Sequence, residues 1–225
     1  CPYGRSGAPP AMSPKVDVRK LDLFNKISKE GSRQVADSLS QMTGIDARIQ
    51  VSKLNFLAME DVKTHLGDEK KVGIHVQLTE SPHGYVLFML DPHDSKRLAQ
   101  LMLPGGSDDA ESGFTDMERS AIQEIGNIMT SGYIDGWANV LDTTIDMGTP
   151  EFTFGPAHKI IQKMGGWPDE DMVFVLDSEI TAGGEDIDLT VYTFPQLRDL
   201  VDLVQQIDVE TDIHEDTVAD ENLTS

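Results

Sequence analysis

The feature that most constrains this chain is that it repeats itself. Residues 22–52 lie over residues 120–150 without a gap, at an offset of 98 (120 − 22). Each window opens as a helix: Leu23, Ile27, Val35 and Leu39 fall near helical spacing in the first, and Ile122, Ile125 and Met129 in the second. Each then turns strand-like, over 47–56 (ARIQVSKLNF) and 143–154 (TTIDMGTPEFTF). Further on, 71–103 echoes 171–204: a strand, a turn (81–84, SPHG; 182–185, AGGE), a second strand, then a helix opened by Pro92 or Pro195. Proline is tolerated in a first helical turn.

A period near 100 residues that occurs only twice implies a duplicated fold and not a solenoid. The expected fold class is α/β (α+β layered): antiparallel strands from both halves in one sheet, helices packed over it, and pseudo-two-fold symmetry. Two independent domains are the alternative, disfavoured by the short linker and the modest core of each half. The expected organisation is a flexible leader at 1–17, one domain at 18–207 and an acidic disordered tail at 208–225. The domain divides into repeats 18–104 and 114–207 around a polar, glycine-containing linker, 105–113. Because the chain opens on Cys1, either Met12 is the natural start or the leader is an addition.

Charge narrows the classes of partner. Asp and Glu total 39 against 18 Lys and Arg, for a net charge of −21. With no basic stripe to release counterions, nucleic acid and anionic lipid are excluded as partners. The surplus reads either as a solubilising coat or, the favoured reading, as adaptation to a high-salt (halophilic) cytoplasm, where screening relieves self-repulsion. No apolar run reaches the roughly 18–20 residues that span a bilayer, and no secretory signal opens the chain; the reading is soluble, cytoplasmic, without membrane insertion. The lone Cys1 permits no internal disulfide, and the six His residues show no pair at ligand spacing, so no metal is expected.

Ser120, Glu124, Asn127 and Ser131 stand at i, i+4, i+7 and i+11, close to one line along a helix. Ala121, Ile122, Ile125, Ile128 and Met129 occupy other faces, and Thr115 with Glu118 suits a cap and first turn. A carboxamide can hold a water in a set orientation, and a carboxylate can grip a cationic side chain. Neither is a strong nucleophile, so the set suits positioning a hydrolytic water over covalent catalysis. On spacing alone the row reads first as a solvated helix face and second as a site.

The run DMERSAIQEIGNIMTSGYIDGWANVL resembles the signature helix of the CheC/CheX/FliY phosphatases of chemotaxis and flagellar switching. That family's pattern is Asp or Ser, three residues, Glu, two residues, Asn, twenty-two residues, Pro. Here Ser120, Glu124, Asn127 and Pro150 meet it at full spacing, and Leu39-Ser40-Gln41-Met42-Thr43-Gly44 resembles the family in the first half. The resemblance covers about 20–205, and duplication is the CheC arrangement. It implies a phosphatase acting on the aspartyl-phosphate of a CheY-like response regulator. In that reading Asn127 orients the attacking water and Glu124 engages the regulator's lysine. Ser120 and Pro150 support the row, Pro150 being equally an ordinary strand-edge proline. The chain needs no cofactor of its own, and Mg2+ belongs to the partner regulator.

The first repeat departs from the pattern. The same offset places Lys26 at the Glu position, Lys29 at the Asn position and Ser52 at the Pro position, and Asp22 alone fits. Two cations would repel the regulator's lysine, so one site is expected, in the second repeat, beside a degenerate first-repeat set. Lys26 and Lys29 read as solvated, or as a face for an acidic partner. The rival function is a non-catalytic adaptor that binds CheD or the phosphorylated regulator. A flagellar-switch component ranks third, because no further C-terminal domain follows.

Overall fold

The computed structural model describes residues 18–103, 113–165 and 172–195. The leader 1–17, the linker apart from Gly113, the helix expected after Pro195 and the acidic tail lie outside the described residues.

Eleven elements follow in chain order among them: α1 (Val18–Thr43), β1 (Ala47–Ala58), α2 (Met59–His65), β2 (Lys70–Leu78), β3 (Gly84–Leu90), α3 (Pro92–Gln100), α4 (Asp116–Leu141), β4 (Glu151–Pro156), α5 (Ala157–Lys163), β5 (Met172–Ala182) and β6 (Glu185–Pro195). The strands form one six-stranded sheet in the order β1-β5-β6-β3-β2-β4, with every neighbouring pair antiparallel. The halves are interleaved. The β2–β3 hairpin of the first repeat pairs outward with β4 of the second, and the β5–β6 hairpin pairs outward with β1 of the first. Exchanging β1 with β4, β2 with β5 and β3 with β6 reverses the strand order, so a pseudo-two-fold axis runs between β6 and β3.

Burial explains the strand sequences. Val72, Ile74, Val76 and Leu78 face the layer formed by α1, α4 and α3, together with Val86, Phe88 and Leu90, while Leu87 and Met89 face α2 and α5. Strands covered on both sides lose alternation and become near-continuous apolar runs. β5 is covered in this way from Val173 to Leu176, then alternates as Ser178 and Ile180 point inward and Glu179 outward.

One expected strand is shorter than its sequence suggests. Of 143–154, only the part from Glu151 onward joins the sheet. Before it the chain keeps one isolated bridge, Leu78 with Met147, and two hydrogen bonds to the end of β2. Pro150 has no N–H to give a ladder. The equivalent position in the first repeat is the extra residue of a bulge: β1 slips register between Val51 and Lys53, leaving Ser52 unpaired. Both repeats thus interrupt the ladder at the same aligned position, by a bulge in the first and by the start of β4 in the second. Among the described residues no helix is long and apolar enough to cross a membrane.

Candidate functional site

α4 is fixed at its start by a capping box. The Thr115 hydroxyl accepts from the Glu118 N–H at 3.2 Å, and the Glu118 carboxylate accepts from the Thr115 N–H at 2.7 Å. The other Glu118 oxygen accepts from Lys96 Nζ of α3 at 2.8 Å, with both side chains buried and the ammonium 5.1 Å from the Phe114 ring centre. Burial alone would raise the Glu118 pKa. The hydrogen bonds from Lys96 and Thr115 outweigh it and hold the carboxyl below its ordinary range.

Beyond the cap, Ala121, Ile122, Ile125 and Met129 are buried and Ile128 is partly so. Gly126 lets the helix settle on β2, where an added Cβ would stand 2.6 Å from Ile74 Cγ2. The opposite face presents Ser120, Glu124 and Asn127 to solvent, with Ser131 half-buried. Two contacts tie this stretch to the segment around β4. Arg119 lies over the Phe152 ring at 5.4 Å, and Gln123 Nε2 donates to the Pro150 carbonyl at 3.4 Å. Pro150 is itself buried. The result is an open depression of about 300 Å³ lined by Ser120, Gln123, Glu124, Asn127, Thr149 and Pro150.

Four positions read from the sequence, Ser120, Glu124, Asn127 and Pro150, therefore meet at one depression. Gln123 and Thr149 join them without having been anticipated. Gln123 could not have been found by spacing, because its partner lies 27 residues away; Thr149 carried only its adjacency to Pro150. The first-repeat set does not converge in this way. Lys26 pairs with Asp22 at 3.3 Å, both well exposed, and Lys29 is exposed. Ser52 donates to the Asp177 carbonyl at 3.0 Å and lines a different depression with Gln50, Glu179, Asp188 and Thr190, which no α1 residue lines.

Chemically, the α4 depression offers a carboxylate, carboxamides and hydroxyls on a helix held by its neighbours. It contains no thiol, imidazole or amine. Such groups can grip a cation and orient water. Among the described residues no three His, Cys, Asp or Glu side chains are grouped to hold a metal ion.

Comparisons with known proteins bear on the family and on the fold. The model of the CheC-like family matches residues 117–153, the span from α4 into β4. A protein of Halobacterium salinarum, CheC1, named as a candidate CheY-P phosphatase, is 39% identical over 196 residues, which is 87% of this chain and all of that relative. Among solved structures, Thermotoga maritima FliY superposes with a TM-score of 0.69 at 22% identity, over 85% of this chain and 95% of FliY. The middle domain of FliM from H. pylori gives 0.61 at 12% identity, over 84% of this chain and 99% of that domain. These two likenesses show the fold. The relative, 39% identical and aligned over all of its length, shows that the chain belongs to the CheC-like family.

Proposed function

We propose that this protein acts in chemotaxis by hydrolysing the aspartyl-phosphate of a CheY-like response regulator, through one site on α4. The observation that carries the reading is that Glu124 and Asn127 stand one turn apart, exposed, on an open depression that Pro150 also lines. The name of the Halobacterium salinarum relative supports the same reaction class. Phosphoryl transfer through a loose transition state asks the protein mainly for positioning. Asn127 holds a water in line with the phosphorus, its carboxamide accepting from the water and fixing its lone pair. Glu124 binds the regulator's lysine and sets the docking angle. Any magnesium is the regulator's own.

A second reading keeps the same face without turnover: an adaptor that holds CheD or the phosphorylated regulator. What favours it is that the depression holds no imidazole, amine or thiol that would activate its Ser120 and Thr149 hydroxyls. One experiment separates the two. A purified CheY-like receiver is loaded with a small phosphodonor, and phosphate loss is followed with and without the protein. Wild type accelerates loss, and Glu124→Ala and Asn127→Ala each reduce kcat/KM by about 10²-fold, the cost of a misplaced reacting group. Lys26→Ala and Lys29→Ala, on exposed side chains, stay within roughly twofold. No acceleration by wild type, even with CheD present, removes the phosphatase reading and leaves the adaptor.

A further inference from the structure

A second hollow of about 400 Å³ adjoins the depression, sharing Ser120 and Glu124 with it. Its remaining lining is Met102 and Leu103, just past α3, with Asp116, Met117 and Ala121 of α4. Met117 is 68% exposed, and it is the large apolar side chain that stands out to solvent among the described residues. Nothing in the packing of α4 calls for a methionine there. It lies one turn before the buried Ala121, at the edge of the buried stripe, in a chain with 39 Asp and Glu against 18 Lys and Arg.

Scale decides what covers it. Met117 and Glu124 are seven residues apart, so about 10 Å separates them along the helix axis. A standard protein interface covers about 800 Å² on each partner, a patch of roughly 16 Å radius. A partner centred on Glu124 therefore also covers the hollow. We infer that the hollow formed by Met102, Leu103, Met117 and Ala121 is the docking seat for the receiver whose phosphoryl group is presented to Asn127. The inference rests on the proposed function and adds what the partner must carry. Beside its lysine it bears an apolar side chain that enters the hollow, with basic character facing the Asp116 and Glu124 carboxylates at the rim. Methionine suits such a seat because its flexible thioether repacks around differing shapes.

The test reads binding apart from hydrolysis. The CheY-like receiver of Halobacterium salinarum, loaded with beryllofluoride as a non-hydrolysable acyl-phosphate mimic, is titrated against the full chain. Met117→Glu weakens binding at least about tenfold, the level expected of an interface anchor, and Met117→Leu recovers it. In turnover with the phosphorylated receiver, Met117→Glu raises KM and keeps kcat, whereas Asn127→Ala lowers kcat. Binding that responds to Met117 in a protein with no hydrolytic activity retains the seat and removes the phosphatase. Equal affinity of Met117→Glu and wild type overturns the seat, as does failure of wild type to bind the loaded receiver. A wild-type dimer in sedimentation that Met117→Glu dissociates, with receiver affinity unchanged, overturns it in favour of a second copy of this chain.

Discussion

Glu118 is the residue on which the first turn of α4 hangs. Its neighbours hold its pKa below the ordinary value of 4.5, so folding favours the ionised form. The sign follows from linkage: the contribution is complete above the unfolded-state value and disappears as pH falls through the lower folded value. Chemical unfolding at a series of pH values should therefore show wild type losing stability below pH 4.5 more steeply than Glu118→Gln. At neutral pH the variant leaves Lys96 buried without its anion and should be less stable by about 3–5 kcal/mol. The two curves converge in acid. Half of this cluster was legible beforehand, since Thr115 and Glu118 sit at capping-box spacing. Lys96 was not, because it reaches Glu118 from another helix, 22 residues back. The Gln123–Pro150 contact was hidden for the same reason. Spacing reports neighbours on one element and is silent about partners on the next.

At the scale of elements, the α1–α4 crossing sets where the site can be. The two backbones approach so closely that a Cβ on Gly136 would stand 2.4 Å from Gly31 Cα. Real Cβ atoms do not tolerate that separation, and the atom in the way is backbone, which cannot rotate aside. Gly136→Ala should therefore destabilise by about 1–3 kcal/mol or more, the usual range for overpacking. Thermal melting is the check; an unchanged melting temperature would mean that the helices slide apart without cost. The long helices α1 and α4, the shorter α3 and both hairpins were readable from periodicity and turn chemistry, whereas the seven-residue α2 and α5 were not anticipated. The strand predicted over 143–154 was not correctly bounded, because alternation alone does not register that Pro150 takes the preceding residues off the ladder. Strand order was unreadable as well. Which hairpin receives which outer strand depends on contacts such as that of Phe56 with Phe174, between segments more than a hundred residues apart.

For the whole molecule, the net charge of −21 sets the dependence on solvent. Self-repulsion of this size weakens the compact state, and screening shortens its reach from about 10 Å at 0.1 M salt to about 3 Å at 1 M. The melting temperature should rise between low and molar salt; a flat series would leave the acidic surface as a coat without a role in stability. The interleaved sheet has a consequence of another kind. A single repeat made alone would have a hairpin lacking its outer strand and a first strand lacking its hairpin, vacancies that only another copy fills. Two separate identical chains could close the same sheet by exchanging strands. Such a pair would carry the same residues on both of its long helices, with either two copies of the Glu–Asn row or none. Joining the copies in one polypeptide lifts that constraint. Lys26 and Lys29 can occupy on one helix the positions that Glu124 and Asn127 occupy on the other, an asymmetry that a symmetric homodimer of identical chains cannot encode.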